Sequence, residues 1–209
     1  MIKEVGSCAE DGGFAGNETV NLKGNGMNKR TKNRLKKIQA VVFDVDGVLT
    51  DGGIIIGSDG TEYKKFNVKD GSGISMLRHS GIKTGIISGR YSKTIEIRAK
   101  ELKIDAVYQD VILKAGAYQK LKKRFGLNDE EICFMGDDVI DLQVFGLCGF
   151  SFAPSDAVSA VKKRADYVCA MPGGCGCVRE ACEMVLEAKG ILKEASERYL
   201  KHEKGIKKV

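Results

Sequence analysis

From Ala40 to Phe152 the chain alternates short, continuous apolar runs with stretches that place apolar residues at helical spacing. The runs are AVVFDV from Ala40, GIKTGIIS from Gly81, DAVY from Asp105, EICFMG from Glu131 and CGFSF from Cys148. Among them lie GISMLRHS, SKTIEIRAKEL, KAGAYQKLKKRF and DLQVFG. A strand that is apolar without alternation has both faces buried, so helices must cover both. The pattern therefore predicts an α/β fold, a Rossmann-like parallel sheet with helices on each face. No internal repeat is visible.

In such sheets ligands bind outside the carboxyl ends of the strands. Asp44 and Asp46 stand at the end of the first run, and Ser88 ends the second, in IISGR. Lys114 opens the helical stretch after the third, and Asp137 and Asp138 end the fourth, in GDDVID. Two acid clusters, a hydroxyl and a lysine are thus predicted to meet at one edge. Two carboxylates side by side at the end of a buried strand are costly to desolvate and repel each other. They make sense where one ionised carboxylate must act beside another that carries a proton.

This set suits phosphoryl transfer. A carboxylate approaching a phosphate dianion needs its repulsion cancelled, and Mg²⁺ between Asp44 and Asp137 would do so, because hard oxygen ligands suit that ion. Lys114 and the Ser88 hydroxyl would hold the phosphate oxygens. Asp44 would form an aspartyl-phosphate. Asp46 would protonate the leaving alkoxide and then activate water. Taken singly the signals are weak: an Asp-x-Asp can be a turn, and GDDxxD a helix-start cluster.

FDVDGVLTDG, ISGR, Lys114 and GDDVIDLQVF together resemble the four motifs of the haloacid dehalogenase superfamily, phosphatase branch. The resemblance spans roughly residues 38–195. Within the superfamily it is strongest to the phosphatases of 3-deoxy-D-manno-octulosonate 8-phosphate, through FNVKDGSGI and PGGCGCVRE, although Cys177 stands where relatives carry alanine and Lys69 where many carry arginine. It implies Asp44 as nucleophile, Asp46 as acid and base, and Mg²⁺ on Asp44, the Asp46 backbone carbonyl and Asp137. Asp138 and Asp141 would then be supporting residues. Substrate contacts are implied for Asp46, Asn67, Val68, Lys69, Asp70, Gly71, Ser75, Arg90, Arg98 and Lys114, with a small sugar-acid phosphate as the partner. Two arginines suit a substrate that carries a carboxylate as well as a phosphate, although Arg98 also reads as an exposed helix residue.

The superfamily's cap domain has no counterpart here. After Asp46 the insertion is short, and GGIIIGSDGTEYKKF reads as a β-hairpin flap over residues 53–66. Ile54, Ile55 and Ile56 are consecutive, so alternation cannot bury them in a lone hairpin, and a bare apolar hairpin is a liability. The resemblance implies a homotetramer with the hairpins joined and a tail, from residue 172, reaching a neighbour's site with Arg179.

The ends are different in character. Residues 1–37 read as a weakly structured leader, with Met27 as an alternative start, and residues 196–209 as a basic extension. The net charge of +6 on 209 residues concentrates there, including Lys29, Arg30, Lys32, Arg34, Lys36, Lys37, Lys201, Lys204, Lys207 and Lys208. Without interleaved aromatics such runs read as solvated faces, not as nucleic-acid or membrane surfaces. No apolar run is long enough for a membrane span and no signal peptide opens the chain, which points to the cytoplasm. The seven cysteines then read as reduced thiols. Cys175, Cys177 and Cys182 lack partner histidines for zinc, since the histidines are His79 and His202. The Asn17-Glu18-Thr19 sequon would go unused in that compartment. The expected activity is hydrolysis of the octulosonate 8-phosphate, in the making of lipopolysaccharide. A nonulosonate 9-phosphate phosphatase, a phosphomutase and a catalytically silent tetrameric binding module are the alternatives.

Overall fold

The structure is a computed structural model that describes residues 27–206, with side chains as far as Lys201. Strand β1 (Ala40–Phe43) is buried at all four positions, and its side chains divide between two cores. Val41 and Phe43 join one, packed by α2 (Val68–His79), α3 (Lys93–Leu102) and α7 (Cys177–Ala188) through Ile74, Leu77, Ile95 and Val185. Ala40 and Val42 join the other, packed by α4 (Lys114–Phe125) and α5 (Leu142–Phe145) through Tyr118, Leu121 and Val144. That division is why the run shows no polar alternation. The fold is the two-faced α/β sheet that the sequence predicts.

The sheet contains β4 (Lys83–Ile87), β5 (Ala106–Tyr108), β6 (Ile132–Met135), β7 (Phe150–Ala153) and β8 (Tyr167–Val168), in the order β5-β4-β1-β6-β7-β8, all parallel. The chain builds outward from β1 to β5, then returns to the other side of β1 with β6. The strand order therefore reverses between β1 and β6, and a crevice opens at their carboxyl ends. Asp44 follows β1 and Asp137 follows β6. Short helix α6 (Ser159–Lys162) connects β7 to β8. Strands β2 (Ile55–Ile56) and β3 (Glu62–Tyr63) pair antiparallel in a separate hairpin, within the expected flap.

Two boundaries differ from expectation. Residues 29–37, expected within a weakly structured leader, form helix α1 (Lys29–Lys37). Asn28 caps it by accepting from Thr31 N at 2.8 Å. Leu35 is fully buried, and the Arg34 guanidinium donates to Gly149 O, pairs with Asp166 and lies 5.0 Å above the Phe150 ring. Helix α8 (Leu192–Ile206) runs through the expected boundary at 195/196, with Ala195 buried and Tyr199 Oη 3.2 Å from Ser72 Oγ. Residues 1–26 and 207–209, including the sequon, Lys207 and Lys208, lie outside the described residues, as do the side chains of His202 and Lys204. Among the described residues no helix is long and apolar enough to cross a membrane. Leu35→Ala is expected to destabilise the domain by about 2–5 kcal/mol in urea unfolding, the usual cost of removing a buried leucine. A loss below about 0.5 kcal/mol, the size of a surface change, would show α1 to be an appendage.

Candidate active site

Asp44 is held at the sheet edge by its own backbone, whose N–H donates to Met135 O at 2.9 Å, carrying the ladder one residue past β1. Its Oδ1 accepts from Val45 N at 2.7 Å and its Oδ2 pairs with Lys114 Nζ at 2.7 Å. Lys114, the first residue of α4, is fully buried and reaches Asp141 Oδ1 as well, at 2.6 Å. Burial works against the ammonium, but Asp44 and Asp141 outweigh it and raise its pKa. Asp44 moves the other way from an ordinary carboxylate. Burial, then the charge of Asp141, push it up to about 7 against the pull of Lys114.

Asp137 follows β6 and is likewise pushed up to about 7, by burial first and then by Asp44 and Asp141. Its Oδ1 is buried and makes no hydrogen bond. Asp141 is fully buried, and its Oδ2 accepts from the N–H groups of Asp137 and Asp138, at 2.9 and 3.2 Å. It shapes the loop that presents Asp137. Asp138 is turned to its own backbone, accepting from Val139 N at 2.7 Å.

Carboxylate oxygens of Asp44, Asp137 and Asp141 all lie within 4.8 Å of one another. With Asp46 they make four carboxylates, and Lys64 and Lys114 supply two ammonium groups. The carboxylates outnumber the ammonium groups, and with the orphaned Asp137 oxygen this suits a hard divalent cation. Asp141 accepts three hydrogen bonds and Asp44 two, while Asp137 Oδ1 accepts none, so Asp137 is the freest side chain to hold it and Asp44 the next.

Asp44, Asp46, Ser88, Arg90 and Asp137 line a single cleft of about 290 Å³, together with Gly47, Gly52 and Asp138. Ser88 is buried, its Oγ donating to Arg90 O at 3.0 Å. The other residues expected at the substrate are placed elsewhere within the chain. Lys69 and Arg179 line a separate groove with Cys175 and Glu183, and Arg179 Nε pairs with Glu183 at 2.7 Å. Asp70 is buried and caps α7, accepting from Arg179 N at 2.7 Å and Gly176 N at 3.2 Å. Asn67 caps α2 by accepting from Lys69 N and donates to Gly174 O. Arg98 packs against Phe66, 5.7 Å from its ring, and pairs with Glu101. A Cβ on Gly71 would meet the Arg98 guanidinium at 2.4 Å. Val68 is exposed and Ser75 half-buried, both on α2. Cys177 and Cys182 are buried and Cys175 is exposed. Lys64, which no motif in the sequence marks, pairs with Asp46 at 2.5 Å.

A parallel sheet with aspartates at its reversal point and a lysine beneath them is the architecture of a haloacid dehalogenase-like hydrolase. Residues 106–173 match the haloacid dehalogenase-like hydrolase family. The chain is 41% identical over 162 residues to the Escherichia coli (strain K12) 3-deoxy-D-manno-octulosonate 8-phosphate phosphatase KdsC, covering 78% of this chain and 86% of that one. It is similar in structure to the Yersinia pestis phosphatase of that name, with TM-score 0.78 and 39% identity over 79% of this chain and 89% of that one. The Moraxella catarrhalis phosphatase, solved in complex with magnesium ion, phosphate ion and KDO, gives TM-score 0.77 and 37% identity over 79% and 95% of the two chains. The chain belongs to this family of haloacid dehalogenase-like hydrolases and is a phosphoric monoester hydrolase.

Proposed function

We propose that the chain is a Mg²⁺-dependent phosphatase of 3-deoxy-D-manno-octulosonate 8-phosphate, working through an aspartyl-phosphate on Asp44. The observation that carries the reading is the single cleft at the sheet's reversal point, where Asp44, Asp46, Ser88 and Asp137 meet above Lys114. The names of the relatives supply the substrate. Asp44, Asp137 and the Asp46 backbone carbonyl hold Mg²⁺, which when bound neutralises charge between the carboxylates and the phosphate. Lys114 favours the ionised form of Asp44 and Ser88 steadies a phosphate oxygen. An Asp44 oxygen attacks phosphorus as the bond to the sugar oxygen breaks, and Asp46 gives that oxygen its proton. Asp46 then takes a proton from water, whose oxygen attacks the aspartyl-phosphate and returns Asp44 as a carboxylate.

The reading includes a homotetramer, supported by the hairpin. Ile54, Ile55, Ile56 and Tyr63 are each about half exposed or more, which leaves an apolar surface that a second copy would cover. It also includes the tail from residue 172 serving a neighbour's cleft. In support, Lys69 and Arg179 lie outside the cleft of their own chain. The product would feed lipopolysaccharide synthesis in the cytoplasm, where the six described free thiols persist.

Phosphate release from a panel of sugar phosphates tests the reading, with the octulosonate 8-phosphate beside a nonulosonate 9-phosphate. The octulosonate ester is expected to give the highest kcat/KM, with activity lost on chelation and restored by Mg²⁺. Calcium, with its larger and looser shell, is expected to inhibit. Preference for the nonulosonate would move the substrate assignment, and full activity in metal-free buffer would remove the metal.

A further inference from the structure

The β3 end of the hairpin carries a buried ammonium. The Lys64 side chain is 1% exposed and lies between Asp46 Oδ1, at 2.5 Å, and Glu62 Oε1, at 3.1 Å. Glu62 Oε2 in turn accepts from Arg90 Nη2 at 2.8 Å, and the Glu62 carbonyl accepts from Thr94 Oγ1 at 3.3 Å. A chain of charges therefore runs from Asp46 through Lys64 and Glu62 to Arg90, joining the hairpin to the loops after β1 and β4. A lysine is held out of water only where a specific partner compensates its desolvation. Here one partner is a carboxylate of the reactive cleft. Among the described residues no hydrogen bond reaches the second Asp46 oxygen, Oδ2.

We propose that Lys64 is a positioning residue for Asp46. It anchors Oδ1 and leaves Oδ2 toward the cleft as the oxygen that gives and takes the proton, which makes the hairpin a working part of the acid–base machinery. The proposal rests on the reading of Asp46 as acid and base. Lys64 can stay in place through both steps, because an ammonium donates to the unprotonated oxygen of a neutral carboxyl group as well as to a carboxylate. Its effect is to fix one rotamer of a partly exposed side chain that would otherwise sample several, and proton transfer requires the donor atom within hydrogen-bond reach.

The test compares two leaving groups on the Mg²⁺-loaded full chain. For each substrate kcat/KM reports the steps up to departure of the leaving group. A sugar alkoxide needs a proton to leave, whereas p-nitrophenolate does not. Lys64→Met is expected to lower kcat/KM for the sugar phosphate by about tenfold to a hundredfold, part of the hundredfold or more supplied by a positioned acid. The value for p-nitrophenyl phosphate should stay within about twofold, since that departure draws nothing from the acid. Lys64→Arg, which keeps the charge and the donor, is expected to restore most of the loss. If Lys64→Met does not fold, Lys64→Gln takes its place in the same comparison. Equal losses on both substrates would reduce Lys64 to a structural residue, and no loss on the sugar phosphate would overturn the proposal. Asp46→Asn separates the two levels. If it shows the leaving-group split and Lys64→Met does not, the positioning role alone fails. If Asp46→Asn leaves sugar phosphate hydrolysis intact, the role of Asp46 itself fails.

Discussion

Asp44→Asn is expected to remove turnover by more than about a thousandfold while the protein stays folded. The volume is unchanged, and the two sites on the side chain are already defined by their partners. Val45 N–H donates to Oδ1 and Lys114 to Oδ2. An asparagine has one acceptor oxygen for these two donors, so one contact is lost, and Lys114 keeps Asp141. The fold loses a charge pair but also a buried carboxylate that burial pushes up to about 7. These changes oppose each other, so circular dichroism and the urea midpoint should shift little. Chemistry has no such compensation, because an amide does not displace the sugar oxygen from phosphorus. Retention of more than about a thousandth of wild-type kcat, far above what remains once a covalent step is lost, would mean that another group attacks.

Gly47→Ala is expected to be nearly as damaging, although Gly47 has no functional atoms of its own. It sits at φ +81°, and a Cβ built there would lie 2.0 Å from Asp137 Oδ2 and 2.4 Å from its Cγ. The methyl group takes the space of the carboxylate, so Asp137 must leave its place across from Asp44. A displacement of about 1 Å in a reacting constellation costs on the order of a hundredfold in rate, and the Mg²⁺ concentration for half-maximal activity should rise with it. Gly60 provides the control. It has nearly the same dihedral, φ +82°, in the hairpin turn, with nothing within 4 Å of its added Cβ. Gly60→Ala should carry the backbone strain, about 1–3 kcal/mol, and leave kcat intact. Similar kinetic losses in the two variants would assign the effect to strain, not to the Asp137 carboxylate.

The parts of the site that lie at strand ends are readable in the sequence, because each buried strand announces itself as an apolar run and the next residue or two must emerge at the edge. Asp44, Ser88 and Asp137 reach one cleft for that reason, and Lys114, the first residue of α4, lies buried beneath it against Asp44. Asp141 was harder to rank. Its place depends on a turn that folds its carboxylate back under Asp137, which a GDDxxD string does not reveal. Lys64 does not stand out in the sequence because TEYKKF looks like a polar strand. Its signal was alternation, since Glu62, Lys64 and Phe66 are partly buried while Tyr63 and Lys65 are exposed. Helix α1 reads as a leader because KRTKNRLKK has only Leu35 for an apolar face, and its attachment comes from Arg34 reaching Gly149 and Asp166 far along the chain. Asp70 illustrates the same limit. Its amide partners are more than a hundred residues away, so its role in capping α7 follows from tertiary packing alone.

The central claim is a covalent phosphoenzyme on Asp44, and the stereochemical course at phosphorus tests it most directly. A sugar phosphorothioate made chiral at phosphorus with one heavy oxygen isotope would be hydrolysed in water carrying a second. Each in-line displacement inverts phosphorus. Attack by Asp44 followed by attack of water gives two inversions, so the account predicts net retention in the released thiophosphate. Net inversion would mean that water attacks the substrate directly, and would contradict the aspartyl-phosphate.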